Sequence, residues 1–86
     1  MIHVKTSKGF EMDFDERVLD DAELVDDVAE VYDGNVLRLP SVARKLLGDK
    51  KADLYDLIRD KKGIVRQTEL MNQLTEIINQ VGGKKS

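Results

Sequence analysis

Few residues in this chain could carry chemistry, and they do not gather. The single histidine, His3, is the natural general base near neutral pH, but no second catalytic residue stands beside it in a recognisable motif. It reads as a surface histidine. Asp13-Phe14-Asp15 opens like a calcium loop, yet that loop then needs an acid or amide where Arg17 stands, glycine at Val18 and glutamate at Leu24. The serines and threonines are scattered with no histidine to activate them. Cysteine is absent, which removes a thiolate nucleophile, a thiolate zinc site and a disulfide framework. Glycines at 9, 34, 48, 63, 82 and 83 never form a phosphate-binding cluster followed by lysine. The acids of the first helical segment fall on a face that should be solvated, where their pKa values cannot be pushed apart. The expectation is a non-enzymatic chain with no cofactor and no metal.

The elements that would position any site follow from periodicity. Ile2 and Val4, then Phe10, Met12 and Phe14, alternate with polar residues, the period of a half-buried strand. Ser7-Lys8-Gly9 suits a three-residue hairpin loop, with Gly9 left-handed. That register pairs Ile2 with Phe14 and Val4 with Met12 on one face, and His3 with Asp13 and Lys5 with Glu11 on the other. From Asp15 the period lengthens to about 3.6. Asp15 to Leu19 reads as an extended segment or a loose turn leading in, Asp20 as an N-cap with Glu23 completing a capping box, and Asp33-Gly34-Asn35 as the helix end. Between them Leu24, Val25, Val28, Val31 and Tyr32 form an apolar stripe, with Asp26, Asp27 and Glu30 opposite. Further helices are expected over 41–47 after Pro40, over about 50–59, and over about 67–81. Ile64 and Val65 should anchor the connection between the last two. The fold class is α+β: an N-terminal β-hairpin packed on a cluster of about four helices, mostly helical. It forms a single domain, 1–86, with the hairpin at 1–14, the helical part at 15–81 and a flexible tail at 82–86.

The net charge of −3 is unevenly spread. Residues 11–33 hold eleven acids and one base, whereas 34–86 hold eleven bases and six acids. This charge split favours a basic partner, or the basic half of a second copy meeting head to tail as a homo-oligomer. The N-terminus shows no apolar signal region and no run reaches the ~18 residues of a spanning helix, so a cytoplasmic protein without membrane contact is expected. Residues 41–59 have the outline of the first part of a helix-turn-helix. Their second helix would carry Asp53 and Asp56 against Lys50, Lys51 and Arg59, in an acidic chain with no tryptophan, which argues against nucleic acid. A small DNA-binding or regulatory protein is the alternative reading.

The last two helices carry more apolar positions than a thin core covers easily: Leu54, Tyr55, Leu57, Ile58, Leu70, Met71, Leu74, Ile77 and Ile78. Tyr55, Ile58, Met71 and Leu74 are therefore the candidate partner-binding residues, with Met71 an adaptable contact.

Read in order, the chain resembles the short tail assembly chaperones encoded by phages and prophages of Gram-positive bacteria. The features that carry the resemblance begin with Lys8-Gly9-Phe10-Glu11 and Phe14, followed by Val18-Leu19-Asp20-Asp21 with Glu23-Leu24. Leu39-Pro40, Leu46-Leu47-Gly48, Leu57-Ile58-Arg59-Asp60, Gly63 with Val65, and Glu76-Ile77-Ile78 continue it, and the final Gly-Lys-Lys-Ser is similar to how such products stop. None of these is a catalytic signature; order and spacing carry the match. The resemblance implies binding of the tape measure protein, solubility for its long helices, and help in assembling tail-tube protein around it. It also implies a frameshifted longer product, with which Lys84-Lys85 is compatible.

Overall fold

The structure is a computed structural model and describes residues 1–83. Two antiparallel strands, β1 (Ile2–Lys5) and β2 (Glu11–Phe14), open the chain and pair in the expected register, Ile2 with Phe14 through Lys5 with Glu11. Thr6 and Phe10 extend the ladder, the Thr6 N–H donating to the Phe10 carbonyl at 2.8 Å. Ser7-Lys8-Gly9 closes it as a three-residue loop, and Gly9 sits at φ 90°, where a side chain would be strained. Ile2, Val4, Phe10 and Phe14 are buried on the inner face.

Of the two forms expected for the lead-in, extended or a loose turn, the chain takes the turn, wound as a 3-10 helix over Glu16–Asp20 and capped by the Asp15 side chain accepting from the Arg17 N–H. This moves the next helix start by one residue. Asp20 is wound into the 3-10 turn, so Asp21 takes the extended cap conformation and accepts from the N–H groups of Glu23 and Leu24. With Asp21 as cap, the third helical position is Leu24, and the expected capping box does not form.

Four α-helices follow: α1 (Ala22–Tyr32), α2 (Leu39–Leu47), α3 (Lys51–Ile58) and α4 (Gln67–Gly83). A 3-10 turn over Val36–Arg38 leads into α2, and another over Gly48–Lys50 joins α2 to α3. Pro40 falls in the first turn of α2 as expected. The 59–66 connection is a small closed turn in which the Asp60 carboxylate accepts from the N–H groups of Lys62 and Ile64. Val65 packs on the core there, but Ile64 is exposed, so only one of the two anchors the connection. The last helix runs through Gly82 and Gly83, two residues past its expected end. The rest of the expected tail, Lys84-Lys85-Ser86, lies outside the described residues.

The core lies where the hairpin's inner face and the four helices meet. Val4, Leu24, Leu54, Leu74, Ile77 and Val81 are at most 2% exposed. The fold is α+β and mostly helical, as the periodicity indicates.

Candidate functional site

Two polar clusters and one apolar surface stand out. The first cluster is on the hairpin's outer face. The His3 ring places Nδ1 2.8 Å from an Asp13 carboxylate oxygen and Nε2 3.0 Å from one of Glu11. Glu11 is thus held by the histidine rather than by Lys5 opposite it. Hydrogen bonds to Asp13 and then to Glu11 raise the His3 pKa above its ordinary value.

The second cluster joins α1 to α2 and corrects the expectation for α1's acids. Asp27 is not solvated: its side chain is only 4% exposed. The Ser41 hydroxyl donates to its Oδ2 at 2.6 Å, Lys45 Nζ to the same oxygen at 2.9 Å, and Arg38 to Oδ1 at 3.2 Å. The Ser41 and Lys45 hydrogen bonds hold this carboxyl below its usual range against the cost of its desolvation. Ser41's proton points at an anion and Lys45 is charged beside it, so the trio is arranged as a structural ion cluster rather than an activated nucleophile. Among the described residues no group of three or more histidine, aspartate or glutamate side chains is arranged to hold a metal.

The apolar surface runs along α4. Three shallow concavities succeed one another there. The first lies against Tyr55, Val65, Leu37 and Leu70, the second against Val36, Thr68 and Met71, the third against Val28, Tyr32, Met71, Thr75 and Ile78. Leu37, on the turn before α2, is 86% exposed, and Tyr32 is 57% exposed with its hydroxyl 3.5 Å from that of Thr75. The turn is held in place from three sides. Arg38 pairs with Asp27, Asn35 donates from its backbone and its side chain to Glu30, and Gln67 donates to the Val36 carbonyl at 3.4 Å.

Of the four residues proposed from sequence, Met71 and Tyr55 are half-buried and border these concavities. Lys51 lies over the Tyr55 ring, 5.2 Å from its centre, and burial pushes the phenol pKa up. Ile58 and Leu74 are core residues instead, 6% and 2% exposed, because their turns of α3 and α4 face inward. Leu74 still forms the floor of the third concavity. Sequence reasoning missed Val36, Leu37 and Tyr32. The first two lie in a three-residue 3-10 turn too short to show a period, and Tyr32 sits at the edge of an apolar stripe that looked wholly internal. No protein-family model matches the chain, and neither the curated proteins nor the solved structures contain a match to it.

Proposed function

We propose that this chain is a non-enzymatic protein-binding domain that acts in the host cytoplasm as a phage tail assembly chaperone, holding helices of the tape measure protein soluble while tail-tube protein assembles. The observation that supports the reading best is the exposed Leu37, on a turn tied down through its neighbours Asn35, Val36 and Arg38, at the head of an apolar surface that continues past Met71 to Tyr32. An exposed apolar residue next to shallow hollows suits capture of an amphipathic helix. Among the described residues no helix is long and apolar enough to cross a membrane.

The helix-turn-helix alternative finds less support. α3 is eight residues long, and two of its flanking cations are turned to acids of the same helix, Lys50 to Asp53 and Arg59 to Asp56. That leaves little concentrated positive charge for a phosphate backbone.

The test is co-expression of the tagged chain with a tape measure protein. The reading predicts soluble, co-purifying partner only in the presence of the chain, and its loss with Leu37→Asp. A partner that stays insoluble with the wild-type chain would overturn it, and salt-sensitive retention of DNA would put the alternative in its place.

A further inference from the structure

A two-stranded ribbon has two edges, and the alternation of its ladder fixes which residues face each. The Thr6 N–H donates to the Phe10 carbonyl. Val4 with Met12 and Ile2 with Phe14 are therefore the hydrogen-bonded pairs that follow. The backbone groups of the residues between them point away from the ladder, those of His3 and Lys5 on the β1 side and those of Glu11 and Asp13 on the β2 side. The two edges are treated differently. On the β1 side α4 brings Gln80, whose amide meets both backbone groups of Lys5. On the β2 side the N–H and carbonyl groups of Glu11 and Asp13 meet no hydrogen-bonding partner among the described residues.

The side chains along this open edge sort by face. Inward, Met12 is partly exposed, while Val4 across the ladder from it is 0% exposed, so the apolar cover gives out toward the β2 side. Outward stand Glu11 and Asp13, each giving one carboxylate oxygen to the His3 ring. Neither is paired with a lysine or arginine among the described residues. We propose that the open edge of β2 receives a third strand from a partner protein, an extended segment of about five residues that alternates lysine or arginine with apolar side chains. Its cations stand opposite Glu11 and Asp13, and an apolar residue between them completes the cover over Met12. A second copy is the wrong occupant. Pairing β2 with β2 through the open groups sets odd-numbered residues against odd-numbered residues in every register, and Glu11, Asp13 and Asp15 are all acids. The β1 edge of a second copy is already met by Gln80. Acids at an edge ordinarily stop a sheet from extending. Here they turn away like strands and select a basic one. The edge is separate from the apolar surface along α4, and the inference does not depend on what that surface binds.

The experiment uses labelled synthetic peptides of about nine residues, long enough to cover β2, one alternating lysine with valine and one alternating glutamate with valine. Fluorescence anisotropy against the intact chain should show the lysine peptide binding at least about tenfold more tightly than the glutamate peptide. With the lysine peptide bound, the amides of Glu11 and Asp13 should exchange at least about tenfold more slowly, whereas those of Met12 and Phe14, already in the ladder, change less. N-methylation of the peptide's lysines or of its valines should abolish binding in one set only, because a strand offers its N–H groups to a given neighbour at every second residue. Glu11→Gln with Asp13→Asn, which keeps size and removes charge, should bring the two peptides within about threefold of each other. Equal binding of both peptides to the unmodified chain, no binding of either, or a bound peptide that leaves the Glu11 and Asp13 amides unprotected would overturn the proposal. So would protection of those amides that rises with the concentration of the chain alone, since the edge would then belong to a second copy.

Discussion

A neutral imidazole has one N–H and one lone pair, whereas imidazolium has two N–H groups. His3 faces a carboxylate at each nitrogen, so only the charged ring makes both contacts. Its pKa is raised in the folded chain, and its contribution to stability is fully present below the unfolded value near 6.5 and is lost as pH rises through the folded value. The melting temperature should therefore slope downward by a few degrees at most between about pH 6 and pH 8, because the ring is exposed. In His3→Gln that slope should be absent, as thermal melts across the window would show. Asp27 behaves in the opposite sense. Its pKa is lowered, so its contribution holds above the ordinary carboxylate range and is lost as pH falls through the depressed value. Asp27→Ala strands Lys45 and Ser41 against an empty site and should lower the melting temperature by about 10 °C. Arg38→Ala, which removes a half-exposed partner, should cost much less in the same melts. The role of Asp27 was not legible in the sequence. The period of α1 shows which residues share a face but not which side α2 covers, and Asp27 looks like its solvated neighbours until Ser41 and Lys45 are brought against it.

Elements were legible where a local rule fixes them, and less so where one element decides the fate of another. The hairpin register followed from alternation and from the glycine its loop requires, all within fourteen residues. The start of α1 was misplaced by one residue, because a 3-10 turn ahead of it consumes Asp20 and two adjacent aspartates offer the same capping chemistry. Asp21→Ala should therefore destabilise the fold by about 1 kcal/mol in denaturant titrations, the usual worth of an N-cap side chain. The docking of hairpin on helix lies beyond any local rule. Glu76 takes the hydroxyl and N–H of Ser7, and Gln73, buried beside it, donates to both Ser7 and Glu76. The Ser7 hydroxyl and N–H hold the Glu76 carboxyl below its usual range. Glu76→Ala should leave α4 helical but free the turn, so that the Ser7 amide loses protection in hydrogen exchange while the amides of Leu74 and Ile77 keep theirs. Equal loss of protection at all three would mean that the helix itself depends on the contact.

At the scale of the molecule, the surface divides by chemistry: α1's acidic side toward α2, the carboxylates and histidine on the hairpin, and the apolar concavities along α4. Composition foretold the acidic segment, and the surplus of apolar residues in the last two helices foretold that some would remain uncovered. Which ones was not readable, because burial depends on the angle at which a helix meets its neighbours. Tyr55 and Met71 came to the surface, Ile58 and Leu74 went inside, and Leu37 was displayed by a turn with no period to announce it. Leu37→Asp touches nothing in the core and should change stability by less than about 0.5 kcal/mol while abolishing partner capture. A melt and a pull-down on the same sample separate the two effects.

Gln80 offers its side-chain amide to the backbone of Lys5, its Nε2 donating to the Lys5 carbonyl at 2.9 Å and its Oε1 accepting from the Lys5 N–H at 3.4 Å. In effect one side chain stands in for a third strand, and it comes from 75 residues further along the chain. A lone two-stranded ribbon has too little apolar cover to persist in water. The β1 edge of the hairpin is therefore satisfied at Lys5 only once α4 lies against it. Contacts 75 residues apart thus tie the hairpin to the last helix described, and without that helix the buried faces of Ile2, Val4, Phe10 and Phe14 would lose part of their cover.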